Sequence, residues 1–125
     1  MLCINMRLAF ARNFRESLAV MVLTYLLWGF YQELVYRGML QTELVRRFGT
    51  LSGILVSNVL YTFGPLHFYH FLAASPRQAA TVLAGTFAIG LFFAVLYRRS
   101  GNLALVGVFH GVGDVYITGL AELVG

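Results

Sequence analysis

Residues 79–97, AATVLAGTFAIGLFFAVLY, run for nineteen positions without a charged side chain. A helix needs roughly 20 mostly apolar residues to cross the hydrocarbon core of a bilayer, so this stretch reads as a transmembrane span. Helix signals bracket it. Ser75 can cap its start and Pro76 suits the first helical position. Arg98 and Arg99 then meet the negative end of the helix dipole, and Gly101 can leave the helix with positive φ. The rest of the chain agrees: 59% of the 125 residues are hydrophobic and only 11% are charged, against about 25% in a soluble domain. Mean hydropathy is +0.76. The sequence predicts an integral membrane protein.

Working outward, three more spans emerge. Residues 103–124 form the last and carry His110 and Asp114 near the middle. Residues 51–72 form the second, with Thr50 or Ser52 as its cap. Pro65 is expected to kink this helix or to free a carbonyl just before His67. The first span starts near Leu18, reaches the neighbourhood of Leu40, continues as a polar turn through Gln41 to Arg47 and stops at Gly49. Ahead of it, Leu2, Met6, Phe10 and Phe14 recur every four residues, with Arg7, Arg12 and Arg15 mostly elsewhere on the wheel. That is the pattern of an interfacial helix over residues 1–17 lying on anionic lipid. The apolar run after it leads into Gln32 and Glu33 with no small-residue cleavage site, so it reads as a retained helix. The expected fold class is all-α: a polytopic membrane helix bundle of about four transmembrane helices plus an N-terminal amphipathic helix, in one domain over residues 1–125. Orientation stays open, because Arg7, Arg12, Arg15 and Arg77 on one side balance Arg46, Arg47, Arg98 and Arg99 on the other.

Charge and cysteine content exclude some function classes. All nine basic residues are arginine, and the net charge of +4 arises from short clusters. Nucleic acid binding needs a broader basic face than that. The single cysteine, Cys3, excludes an intrachain disulfide and a cysteine-rich metal site.

The chemistry lies in polar residues set within apolar runs. Gln32, Glu33 and Arg37 fall on the first span, His67 on the second, and His110 with Asp114 on the fourth. Ionisable groups at membrane depth turn from lipid towards the interior, so these side chains are expected to converge on one site. Glu33 and Arg37 are four apart and share a helix face, as do His110 and Asp114, where the carboxylate can orient the imidazole. Phe63 stands four before His67 and can pack beside it. Such a set can activate water by general acid–base chemistry. Alternatively His67, His110, Asp114 and Glu33 can bind a divalent metal such as zinc, although their spacing is looser than a His-Glu-x-x-His helix. Blander readings exist for each group: an intrahelical salt bridge for Glu33 and Arg37, a packed histidine at 67, an interfacial one at 70. Asn58 and Thr62 suit interhelical hydrogen bonds. Gly85, Gly90, Gly111 and Gly113 read as close-packing positions, and Tyr36 and Tyr61 as core or interface aromatics.

Three of these groups stand in the order of a known pattern. Gln32-Glu33-Leu34-Val35-Tyr36-Arg37, Phe63-Gly64-Pro65-Leu66-His67 and His110-Gly111-Val112-Gly113-Asp114 resemble the motifs of the CAAX protease and bacteriocin-processing (CPBP, or Abi) family of intramembrane proteases. Those motifs are Glu-Glu-x-x-x-Arg, Phe-x-x-x-His and His-x-x-x-Asn or Asp. The resemblance spans residues 28–117. It implies an all-helical bundle with the motifs lining a water-accessible cavity, and a glutamic-type endopeptidase of the bacterial cytoplasmic membrane that needs no metal cofactor. Its implied partners are membrane lipid and a peptide or protein substrate. The resemblance further implies that the leading glutamate activates water and that Arg37 supports the site or a substrate carboxylate. His67, His110 and Asp114 would complete the catalytic centre and steady the oxyanion. Family members usually carry additional helices, so association into a homo-oligomer is a further expectation.

The chain departs from the pattern at the leading glutamate, which is Gln32. A neutral amide cannot take a proton from water, and loss of a general base costs about 100- to 10,000-fold in rate. Three explanations follow: Glu33 serves as base, directly or through a histidine; the chain is a pseudoprotease that binds a peptide as an immunity or partner factor; or glutamine was introduced to silence the site.

Overall fold

The computed structural model describes residues 14–72 and 75–116, with side chains except those of residues 14–17, 66 and 69–71. Residues 1–13 of the expected amphipathic helix and 117–124 of the fourth span lie outside the described residues, as does the side chain of His70. The elements are α1 (Phe14–Glu33), a π-helical segment (Leu34–Gln41), α2 (Thr42–Phe48), α3 (Thr50–Thr62), α4 (Pro65–Leu72), α5 (Pro76–Ser100) and α6 (Leu103–Asp114). Among the described residues there is no strand, and the fold is all-α. Two helical runs, Leu18–Phe48 and Pro76–Ser100, are long and apolar enough to cross a membrane.

Burial is inverted relative to a soluble protein. Gln32, Glu33, Arg37, Gln41, Ser57, Asn58, Thr62 and His110 are buried, while Leu23, Leu27, Val82, Ile89, Phe92 and Val95 are exposed. Lipid is as apolar as leucine, so apolar side chains gain little by leaving it, whereas polar ones must find partners inside.

The chain forms two compact units. Of the described residues, one unit holds those up to Glu33 together with those from Ala104 to 116, and the other is Leu34–Leu103. In the first, α1 and α6 meet backbone to backbone at glycines. A Cβ on Gly29 would lie 2.6 Å from the Gly111 nitrogen, and one on Gly111 2.6 Å from Leu26 Cα. The close-packing reading holds for Gly111, but Gly85 and Gly113 face open space, with nothing within 4 Å of a Cβ.

In the second unit the helix ends follow local chemistry. Ser75 and Gln78 form a capping box at the start of α5, with Pro76 inside the first turn, and Gly101 closes it at φ 62°. Gly49 ends α2 at φ 84° and is also the residue before α3, whose start has no side-chain cap. Thr50, expected to cap α3, is its first helical residue and instead accepts a hydrogen bond from Arg98. The second expected span is divided. α3 ends at Thr62, Phe63 adopts φ −96° and ψ 4°, and α4 restarts at Pro65. Proline has no N–H to give the carbonyl four residues back, and its ring clashes with that carbonyl.

The glycine contacts yield a paired prediction. Gly111→Ala pushes a methyl group into the α1 backbone and is expected to destabilise the protein by about 1–3 kcal/mol. Gly113→Ala is expected to change stability by less than about 0.5 kcal/mol. Thermal unfolding of both variants in detergent micelles measures the contrast.

Candidate active site

The first unit gathers Gln32, Glu33, His110 and Asp114. Glu33 is the last residue of α1 and has no exposed surface. Its Oε1 lies 2.6 Å from Nδ1 of His110, which is also buried. A carboxylate on Nδ1 fixes both the ring plane and the tautomer, because Nδ1 then carries the hydrogen. Nε2 of the same ring faces Asp114, one turn along α6, with Oδ2 at 3.6 Å. That separation exceeds a direct hydrogen bond. Asp114 keeps 29% of its side chain exposed while Glu33 keeps none, so the cluster opens at its Asp114 end. Gln32, 3% exposed, has no hydrogen-bond partner for Oε1 among the described residues. The residue before the paired carboxylate in the chain is thus a buried amide whose oxygen cannot take up a proton.

The second unit holds Arg37 and His67, with Tyr61 between them. Arg37 lies on the π segment and is fully buried; its Nη2 donates to the Gly90 carbonyl at 2.8 Å. Its Cζ lies 4.6 Å from the centroid of the Tyr61 ring. That ring meets Tyr36 edge-on at 5.3 Å and His67 at 4.6 Å. Nδ1 of His67 donates to the Tyr61 carbonyl at 2.8 Å. Gln41 Nε2 donates to Ala94 and Asn58 Nδ2 to Phe87, so three side chains bond carbonyls at positions 87, 90 and 94 of α5. These positions recur at three and four residues and share a helix face. A guanidinium enclosed in this way braces helices and presents no surface to a substrate carboxylate.

Some expected contacts differ. The ring against His67 is that of Tyr61, whereas Phe63 stands 54% exposed. The four-residue rule applies within a continuous helix, and Phe63 lies at the break. Asn58 makes the interhelical bond expected of it, but Thr62 donates to the Asn58 carbonyl within α3. Among the described residues no cluster of three or more His, Cys, Asp or Glu side chains is arranged to hold a metal ion. Gln41 and Tyr61 are the residues that sequence patterns left out of the polar set. Gln41 reads as the start of a polar surface turn, and only its place four residues after Arg37 signals its burial. Tyr61 reads as one aromatic among many, and only its place four residues before Pro65 marks its carbonyl.

The model of the family described as Type II CAAX prenyl endopeptidase Rce1-like matches residues 14–116. No curated protein and no solved structure matches the chain.

The Arg37 geometry predicts that charge alone does not suffice there. Lysine lacks the planar fork that bonds one carbonyl while lying over a ring. Arg37→Lys is expected to cost about 2 kcal/mol, and Gln41→Met, which loses one neutral hydrogen bond, about 1 kcal/mol. Unfolding midpoints in mixed micelles titrated with denaturing detergent check the order.

Proposed function

This chain belongs to the family of Rce1-like type II CAAX prenyl endopeptidases, and from that premise we propose that it hydrolyses peptide bonds with His110, held by Glu33, as the base that activates water. The observation that carries this reading is the 2.6 Å contact between Glu33 Oε1 and His110 Nδ1. The substrate is a membrane-associated peptide or protein, and the site of action is the bacterial cytoplasmic membrane.

The steps use this chain's own groups. Glu33 accepts the Nδ1 hydrogen and keeps Nε2 basic. Water entering at the exposed Asp114 end gives its proton to Nε2 as its oxygen attacks the scissile carbonyl. The imidazolium, flanked by the Glu33 carboxylate, then returns that proton to the leaving amine as the carbon–nitrogen bond breaks. Gln32 cannot take the proton, but its amide N–H remains a donor that can steady the oxyanion. His67 and Arg37 enter through their places in the motifs, His67 as a further polar group of the reaction and Arg37 as a brace. The carboxylate at position 33 thus acts through an imidazole rather than on water directly. No metal or organic cofactor takes part in this route.

One observation favours a second reading, a peptide-binding protein without turnover: the residue in place of the family's leading glutamate is neutral. The two readings separate in liposomes carrying a membrane-tethered peptide library. The chain as it stands is expected to cleave, His110→Ala to lose activity by about 100-fold or more, and Glu33→Gln to fall in the same direction. Peptide binding without turnover, together with turnover gained only in Gln32→Glu, would establish the second reading and overturn the first.

A further inference from the structure

We infer that Pro65 is a positioning residue for His67: by withholding an N–H from the Tyr61 carbonyl, it lets that carbonyl hold the Nδ1 hydrogen of His67 and leaves Nε2 as the basic nitrogen. In an unbroken helix the carbonyl of residue 61 accepts from the N–H of residue 65. Residue 65 is proline and has none to give. A buried carbonyl deprived of its partner costs free energy until something replaces it. The Gly64 N–H reaches it only at 3.4 Å, whereas His67 Nδ1 approaches to 2.8 Å. A carbonyl oxygen only accepts, so Nδ1 must carry the hydrogen, and the neutral ring then has its lone pair at Nε2.

The same tyrosine fixes the plane of the ring. The Tyr61 side chain is 2% exposed and meets the imidazole at 66° with centroids 4.6 Å apart. Arg37 over its face and Tyr36 at its edge hold the tyrosine in turn. The carbonyl therefore sets the tautomer and the ring sets the orientation, both from a residue outside the three motifs. Gly64 allows the turn: it is buried, and any Cβ there would collide with the Tyr36 hydroxyl and the Leu60 carbonyl. Proline at position 65 is then more than a helix breaker, because it selects which nitrogen of His67 can take a proton.

The kinetic part of the test rests on His67 taking part in the proposed reaction; the spectroscopic part does not. The chain has three histidines, so ¹⁵N-histidine spectra of the full-length protein in bilayers can be assigned by single substitution. In the unaltered protein His67 is expected as the Nδ1–H tautomer. Pro65→Ala supplies an N–H that competes for the Tyr61 carbonyl, and alanine is a good helix former, so the variant is expected to fold. The share of Nδ1–H tautomer should fall, and kcat should drop about tenfold or more while KM stays unchanged. An Nε2–H tautomer in the unaltered protein, or an unchanged tautomer ratio in Pro65→Ala, overturns the inference. A shifted tautomer with unchanged kcat leaves the positioning role standing and removes His67 from the proposed reaction.

Discussion

A polar group that enters hydrocarbon must find its hydrogen-bond partner inside the protein, and the described part of this chain is arranged around that constraint. Helical backbone satisfies most of it. The remainder falls to side chains, several of which here bind backbone carbonyls. Arg37, Gln41 and Asn58 each donate to a carbonyl of α5. These carbonyls have a second lone pair available beside their helical bond, so a packed helix can be gripped without being unwound. The grip passes between apolar surfaces that lipid would otherwise separate at little cost.

The two units put the same constraint to different use. In the first, a carboxylate and an imidazole satisfy each other, and what they create is a nitrogen of defined protonation facing Asp114. In the second, a carbonyl freed by proline is satisfied by an imidazole. Both histidines are thus held by Nδ1, one by a charged acceptor and one by a neutral one. Hydrogen bonds to a charged acceptor are the stronger of the two kinds, so the His110 ring is the more firmly held.

How much of this was legible in the sequence depends on whether a residue acts through its local period or through its tertiary neighbours. The span over residues 79–97, the cap at Ser75, the stops at Gly49 and Gly101, and the disturbance at Pro65 follow from hydropathy and backbone chemistry, and the structure has them. His110 and Asp114 are paired as their spacing suggests, although 3.6 Å apart rather than in direct contact. That Glu33 and His110 belong to one site was expected of polar residues set in apolar runs, but their direct contact across 77 positions comes only from the packing of α1 on α6. Phe63 misled for the opposite reason: its spacing to His67 is helical in number, but the helix ends between them. Tyr61 was hidden because its contribution is made largely by a backbone carbonyl, which every residue possesses.

The π-helical segment, Leu34–Gln41, carries a consequence for numbering. Hydrogen bonds there span five residues rather than four, and Tyr36 and Gln41, five apart, are both buried. The Thr42 hydroxyl donates to the Arg37 carbonyl across the same interval of five. A helical wheel drawn at 3.6 residues per turn through this stretch falls out of phase with the backbone. Probes, cross-links or cysteines chosen from such a wheel would land on the wrong face beyond position 41. Relatives aligned without a gap here share faces only if they also share the wide turn, so the segment acts as a local change of gauge in an otherwise regular helix.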